Sequence, residues 1–119
     1  MKRIWAGRIL SILVSLPFAF SAAMKLLVRP EVVQGTKELG LPESLIRPLG
    51  VLELFCVIVY LVPKTSTLGA ILFTGYVGGA ILTHLRVGQP VYLHILLGIL
   101  IWLGLYLRRP QLHDVLWPA

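Results

Sequence analysis

Lys25, Glu53, Tyr60, Thr83, His84, Arg86 and His94 carry chemistry-bearing groups in or at the ends of otherwise apolar runs. The ammonium and guanidinium groups donate hydrogen bonds, the two hydroxyls donate or accept, and histidine exchanges protons near neutral pH. Glu53 is suited to relaying a proton or holding a cation. An ionisable group inside hydrocarbon is paired, protonated or functional, because leaving it bare there is expensive. The stretch Leu72–Pro90, LFTGYVGGAILTHLRVGQP, poses the question most sharply, since a charge-free, glycine-rich run ends in His84 and Arg86.

Each residue also has a plainer reading. Glu53 would fix helix register through a structural salt bridge, and Lys25 would snorkel its ammonium to the headgroups. Arg86 would be an interfacial anchor, and His84 would bond a neighbouring carbonyl. Tyr60 lies seven residues after Glu53 and shares its helix face, while Cys56 lies three after it. Cys56 is the single cysteine, so it forms no internal disulfide and no CxxC pair. His84 and His94 flank a short loop, but no HxxxH or His/Cys spacing accompanies them, so neither metal nor haem is expected.

Composition identifies the solvent these groups meet. Of 119 residues, 57% are hydrophobic and 13% charged, too little charge for a water-facing surface. Mean hydropathy is +0.87. Eleven Lys and Arg against five Asp and Glu would suit nucleic acid, yet the basic residues flank apolar runs instead of forming a face. No nucleic-acid partner is expected. Phosphate-loop, GxSxG and dinucleotide fingerprints are also missing, which removes the common soluble enzymes.

A bilayer core of about 30 Å is crossed by roughly 20 apolar helical residues. Four runs are candidates, at about residues 4–27, 49–62, 67–85 and 91–107, the second of them short, within one transmembrane domain over 1–119. The first, MKRIWAGRILSILVSLPFAFSAA, is similar to a secretory signal peptide, but further apolar runs follow and we read it as a retained span. Residues 28–48 hold too much Pro, Gly and charge to cross and are expected at the interface. The connections PKTS and RVGQP are tight, so the expected fold is all-α, an integral membrane antiparallel four-helix bundle. Gly75 and Gly79 with Thr83, and Gly78 beside them, form small-residue ridges expected to pack the third helix against its neighbours. In such a bundle Lys25, Glu53, His84, Arg86 and His94 gather at one level. The Lys and Arg count places both termini in the cytoplasm.

The pieces LGVLEL around Glu53, P-TS-LGA from Pro63, GGAI-TH-R ending at Arg86, the closing W-GLY-R and the lysine near the end of the first span form a pattern. It resembles the DoxX-like family of small bacterial membrane proteins over nearly the whole chain. The resemblance implies a four-helix protein of the bacterial inner membrane. It links relatives to quinone-coupled sulfur oxidation, oxidative-stress membrane complexes and membrane chaperones, with no residue set to carry over. The expected function is an intramembrane polar pocket for a lipophilic small molecule, with a quinone-like headgroup and a membrane redox partner as the concrete case. The alternatives are a non-catalytic accessory or assembly subunit, and a transporter component that would need to form a homo-oligomer.

Overall fold

The computed structural model describes residues 2–117, and every regular element among them is helical. Helix α1 spans Lys2–Leu26, α2 Pro30–Glu38, α3 Ile46–Leu61, α4 Ser66–Arg86, α5 Tyr92–Arg108 and α6 Gln111–Leu116. Short 3-10 turns at Glu43–Leu45 and Pro63–Thr65 lead into α3 and α4. The Lys2–Leu26, Glu43–Leu61 and Pro63–Arg86 segments are each long and apolar enough to cross a membrane. Helix α5 is apolar but shorter, at 17 residues.

The long helices close a ring in which α1 touches α3 and α5, and α4 touches the same two from the other side. Helix α3 starts three residues earlier than expected, because Pro48 lies within the first turn instead of ahead of it. A first-turn proline loses no intrahelical bond, since that N–H has no partner there anyway. Residues 28–48 are largely ordered into α2 and the first 3-10 turn. Val28, with φ 51°, reverses the chain after α1, a costly conformation for a β-branched residue.

Exposure follows the lipid logic of the sequence. Leu13, Leu16, Phe20, Phe55, Ile58, Ile71 and Ile99 are more than half exposed on the outer faces, where acyl chains replace water as their surroundings. The buried centre holds Phe18, Tyr60, Phe73, Ile101 and Leu105. Phe73 packs against Phe18 at 4.7 Å with the rings tilted by 48° and meets Tyr60 edge-on at 5.5 Å, which links α1, α3 and α4.

Tyr60 is the pin of this lower half. Its hydroxyl donates to the Ile101 carbonyl at 2.6 Å and lies 3.2 Å from Ser11 Oγ, while Arg108 donates to its carbonyl. Gly69 makes this possible, because a Cβ there would collide with the Tyr60 backbone. Gly50 does the same at the upper end, where a Cβ would fall 2.9 Å from Lys25 Cβ. Without hydrophobic drive between helices already in lipid, such close backbone approach supplies the packing energy.

The expected packing role of Gly75, Gly78 and Gly79 is corrected. All three are exposed, and a Cβ on any of them would meet nothing within 4 Å. The glycines that bring helices together are Gly7, Gly50, Gly69 and Gly104, which sit singly in the sequence.

Candidate functional site

Lys25 stands one residue from the end of α1, where the preceding turn supplies Ser21. Its Nζ donates to Ser21 Oγ at 2.9 Å, to Glu53 Oε1 at 2.8 Å and to Tyr76 Oη at 2.9 Å. All three donor protons of the ammonium are therefore used. Glu53 is 2% exposed, so its carboxylate is effectively buried and the ion pair with Lys25 is what makes that burial tolerable. The pair joins α1 to α3, and Tyr76 adds α4.

Glu53 lies seven residues into α3, about 10 Å down the helix axis at 1.5 Å per residue. Gly50, one turn before it, lets α3 close on α1 at Lys25. Local sequence thus sets the approach, and the charges then select the partner.

His84 and His94 form a second layer nearer the end of the helices. Their ring centroids are 4.3 Å apart at an interplanar angle of 45°. His84 Nδ1 lies 2.6 Å from the Ala80 carbonyl, one turn back on α4. A carbonyl only accepts, so Nδ1 carries the hydrogen and a neutral His84 keeps a free lone pair on Nε2. His94 Nδ1 is buried and has no hydrogen-bond partner.

These groups line one crevice of about 520 Å³ bounded by all four long helices and the segment after α2. Lys25, Glu53, Tyr76, His84 and His94 supply its polar lining. Leu45, Leu49, Leu52, Leu93 and Leu97 supply much of the rest. Leu45, Leu52 and Leu93 are exposed, so the crevice opens on the outer surface of the helices. A smaller recess of about 290 Å³ lies beneath α2 and is lined by Lys25, Thr36, Glu38, His84, Gln89 and His94 among others. The same cluster therefore borders both spaces.

The structure brings together Lys25, Glu53, His84 and His94, and it separates two other candidates from them. Arg86 is exposed and donates to the Leu39 carbonyl, with its guanidinium beside Gly40. It holds the end of α2 and does not line the crevice, because it lies beyond the last inward turn of α4. Tyr60 shares the face of Glu53 but lies about two turns further along α3, where it is bonded into the opposite half of the molecule. Thr83 lines the crevice, and its hydroxyl is occupied by the Gly79 carbonyl at 2.7 Å.

Ser21 and Tyr76 escaped the sequence reading. A tyrosine in an apolar helix reads as packing or as an interfacial ring. The available signal was Tyr76, Ala80 and His84 at i, i+4 and i+8, one ridge of α4 with a polar group at each end. Ser21 likewise stands four residues before Lys25. Gly75 and Gly79, although not packed, border the crevice and keep its α4 wall low.

Among the described residues no three His, Cys, Asp or Glu side chains gather as a metal-holding group. Cys56 is buried and unpaired on α3. Tyr76, His84 and His94 give the crevice hydrogen-bonding groups beside an apolar wall.

Comparison with curated proteins and with solved structures returned no match. The model of the DoxX-like family matches residues 9–106, which include the whole cluster from Ser21 to His94, and the chain belongs to that family.

Proposed function

We propose that this small membrane protein binds a lipophilic molecule with a carbonyl- or hydroxyl-bearing head in the crevice around Lys25 and Glu53. The observation that carries the reading is a fully bonded, deeply placed ammonium–carboxylate pair forming part of the wall of a leucine-lined opening. Binding sites for small molecules combine an apolar enclosure of roughly 300–1,000 Å³ with a few convergent polar groups, and the crevice has that character. The tail lies along Leu45, Leu52 and Leu93, and the head meets Tyr76, His84 and His94.

A quinone is the concrete ligand. Its head presents oxygen acceptors in the oxidised form and hydroxyl donors in the reduced form, and the cluster offers partners for both. Electrons come from a membrane redox partner. The chain's own contribution is to hold the head and exchange protons through Glu53, Tyr76 and the histidines. In this reading the four long helices form an antiparallel bundle across the bacterial inner membrane, with both termini in the cytoplasm.

The test is binding of a short-tailed quinone to the purified protein, measured by equilibrium dialysis beside quinone-dependent redox activity in membranes. Glu53→Gln is expected to weaken binding by about tenfold, the equivalent of ~1.4 kcal/mol. Unchanged binding and activity in that variant would remove the basis of the reading.

A second reading is an accessory subunit whose α4 docks a partner helix. The bare stripe of Gly75, Gly78 and Gly79 favours it, since small residues on an outer face permit close helix approach. Replacing Gly75 and Gly79 with leucine then abolishes assembly, whereas the pocket reading predicts a blocked crevice and an unaffected oligomeric state.

A further inference from the structure

The charge of the chain is divided unequally between the two ends of the helices. The end where α1 begins and α5 finishes holds Lys2, Arg3, Arg8, Lys64, Arg108 and Arg109. Six cations face one acid there, Asp114, for a net charge of +5. At the opposite end five cations meet four acids, Glu31, Glu38, Glu43 and Glu53, for a net charge of +1. The excess of positive charge therefore sits almost wholly at one end.

That excess is concentrated further. Gly7 lets α1 lie against the end of α5, since a Cβ there would fall 2.5 Å from the Arg108 backbone nitrogen. Arg8 follows at once and lies within electrostatic reach of Arg108, as does Arg109. Arg3 donates to the Tyr106 carbonyl at 3.0 Å on the same side. Like charges at such range repel, and a carboxylate is the usual remedy. None is supplied: the ion pairs among the described residues are Lys25–Glu53, Arg29–Glu31 and His113–Asp114.

The arginines also hold unused donors. Arg108 donates to the Tyr60 carbonyl and Arg109 to the Pro63 carbonyl, each through one terminal nitrogen, and the second terminal nitrogen of each is neither hydrogen-bonded nor buried. The surroundings identify the phase the missing acceptor comes from. The Arg8 guanidinium lies 5.1 Å over the Trp5 ring and that of Arg3 lies 4.9 Å over Tyr106, rings of the type that settle at headgroup depth. Immediately below, Ile9 and Ile12 are more than half exposed, a surface for acyl chains and not for water.

We propose that the α1–α5 junction binds the headgroup of an anionic phospholipid, with Arg8, Arg108 and Arg109 around the phosphate and the acyl chains along Ile9 and Ile12. A phosphodiester provides several acceptor oxygens and a negative charge, which fits paired guanidinium groups geometrically as well as electrostatically.

The test uses the purified protein in a neutral detergent with phosphatidylglycerol, phosphatidylcholine or inorganic phosphate added separately. Native mass spectrometry counts bound lipid, and thermal unfolding reports stabilisation. Phosphatidylglycerol is expected to be retained and to raise the unfolding temperature, with phosphatidylcholine and inorganic phosphate doing neither. Affinity is expected to fall roughly fivefold for each arginine removed in Arg8→Gln and Arg109→Gln. A control carrying Arg29→Gln and Arg47→Gln at the opposite end keeps full affinity. Equal retention of both lipids, an equal loss in the control, or the same stabilisation by inorganic phosphate would overturn the proposal. Arg8 is exposed and its side chain holds no other element by a hydrogen bond, so Arg8→Gln alone decides the matter if the double variant does not fold.

Discussion

The imidazoles of His84 and His94 stand 4.3 Å apart across the turn that joins α4 to α5, yet only one of them is hydrogen-bonded. His84 is held by the Ala80 carbonyl, whereas His94 Nδ1 is buried and unpartnered. A buried polar atom without a partner lowers stability, and removing it recovers part of that loss. His94→Phe is therefore expected to fold with unchanged or slightly raised thermal stability while binding of the proposed quinone ligand weakens. A large drop in unfolding temperature would show that His94 is a structural residue.

The Lys25–Glu53 pair makes an opposite forecast. Removing one partner strands a charge, which costs about 3–5 kcal/mol for a buried pair. Glu53→Leu and Lys25→Met are each expected to destabilise strongly in denaturant titrations in detergent. The double variant, with both charges gone, should recover most of the stability and bind no ligand. Failure to recover would mean that the hydrogen bonds to Ser21 and Tyr76 matter more than the charge balance.

Tyr76→Phe removes a single hydrogen bond and keeps the ring. The expected stability loss is about 1 kcal/mol, the usual net worth of such a bond. Because Lys25 then has a free donor facing the crevice, ligand affinity should change more than stability does. Isothermal titration beside thermal unfolding separates the two effects.

Two glycine substitutions of identical chemistry should behave very differently. Gly69→Ala drives a methyl group into the Tyr60 backbone, and overpacking of that kind costs typically 1–3 kcal/mol or more. Gly75→Ala meets open space and should leave stability nearly unchanged or slightly higher. Comparable losses in both would contradict the packing described for α4.

The contrast between those glycines shows what was legible in the sequence. Helical periodicity groups residues onto a face, but it does not say what the face touches, so the Gly75–Gly79 ridge read as an interface although it lines an opening. The glycines that pack are isolated, and their partners are backbones of distant segments that no local pattern reveals. That Lys25 and Glu53 share one level was readable, because an up-and-down order of the spans brings those two helix ends together. Tyr76 was not, since a tyrosine is tolerated at depth for its ring alone. Arg86 and Tyr60 were misplaced by small axial distances. Two residues past His84, at the last position of α4, an expected ligand donor becomes a clasp on α2, and two turns along α3 move a hydroxyl to the other half of the molecule.

The recess beneath α2 gives the cluster a second set of neighbours. Lys25, His84 and His94 border both cavities, and the smaller one is also walled by Val32, Thr36 and Glu38 of α2. In the proposed reading, the histidines that meet the head of the ligand thus also border a second space walled by α2.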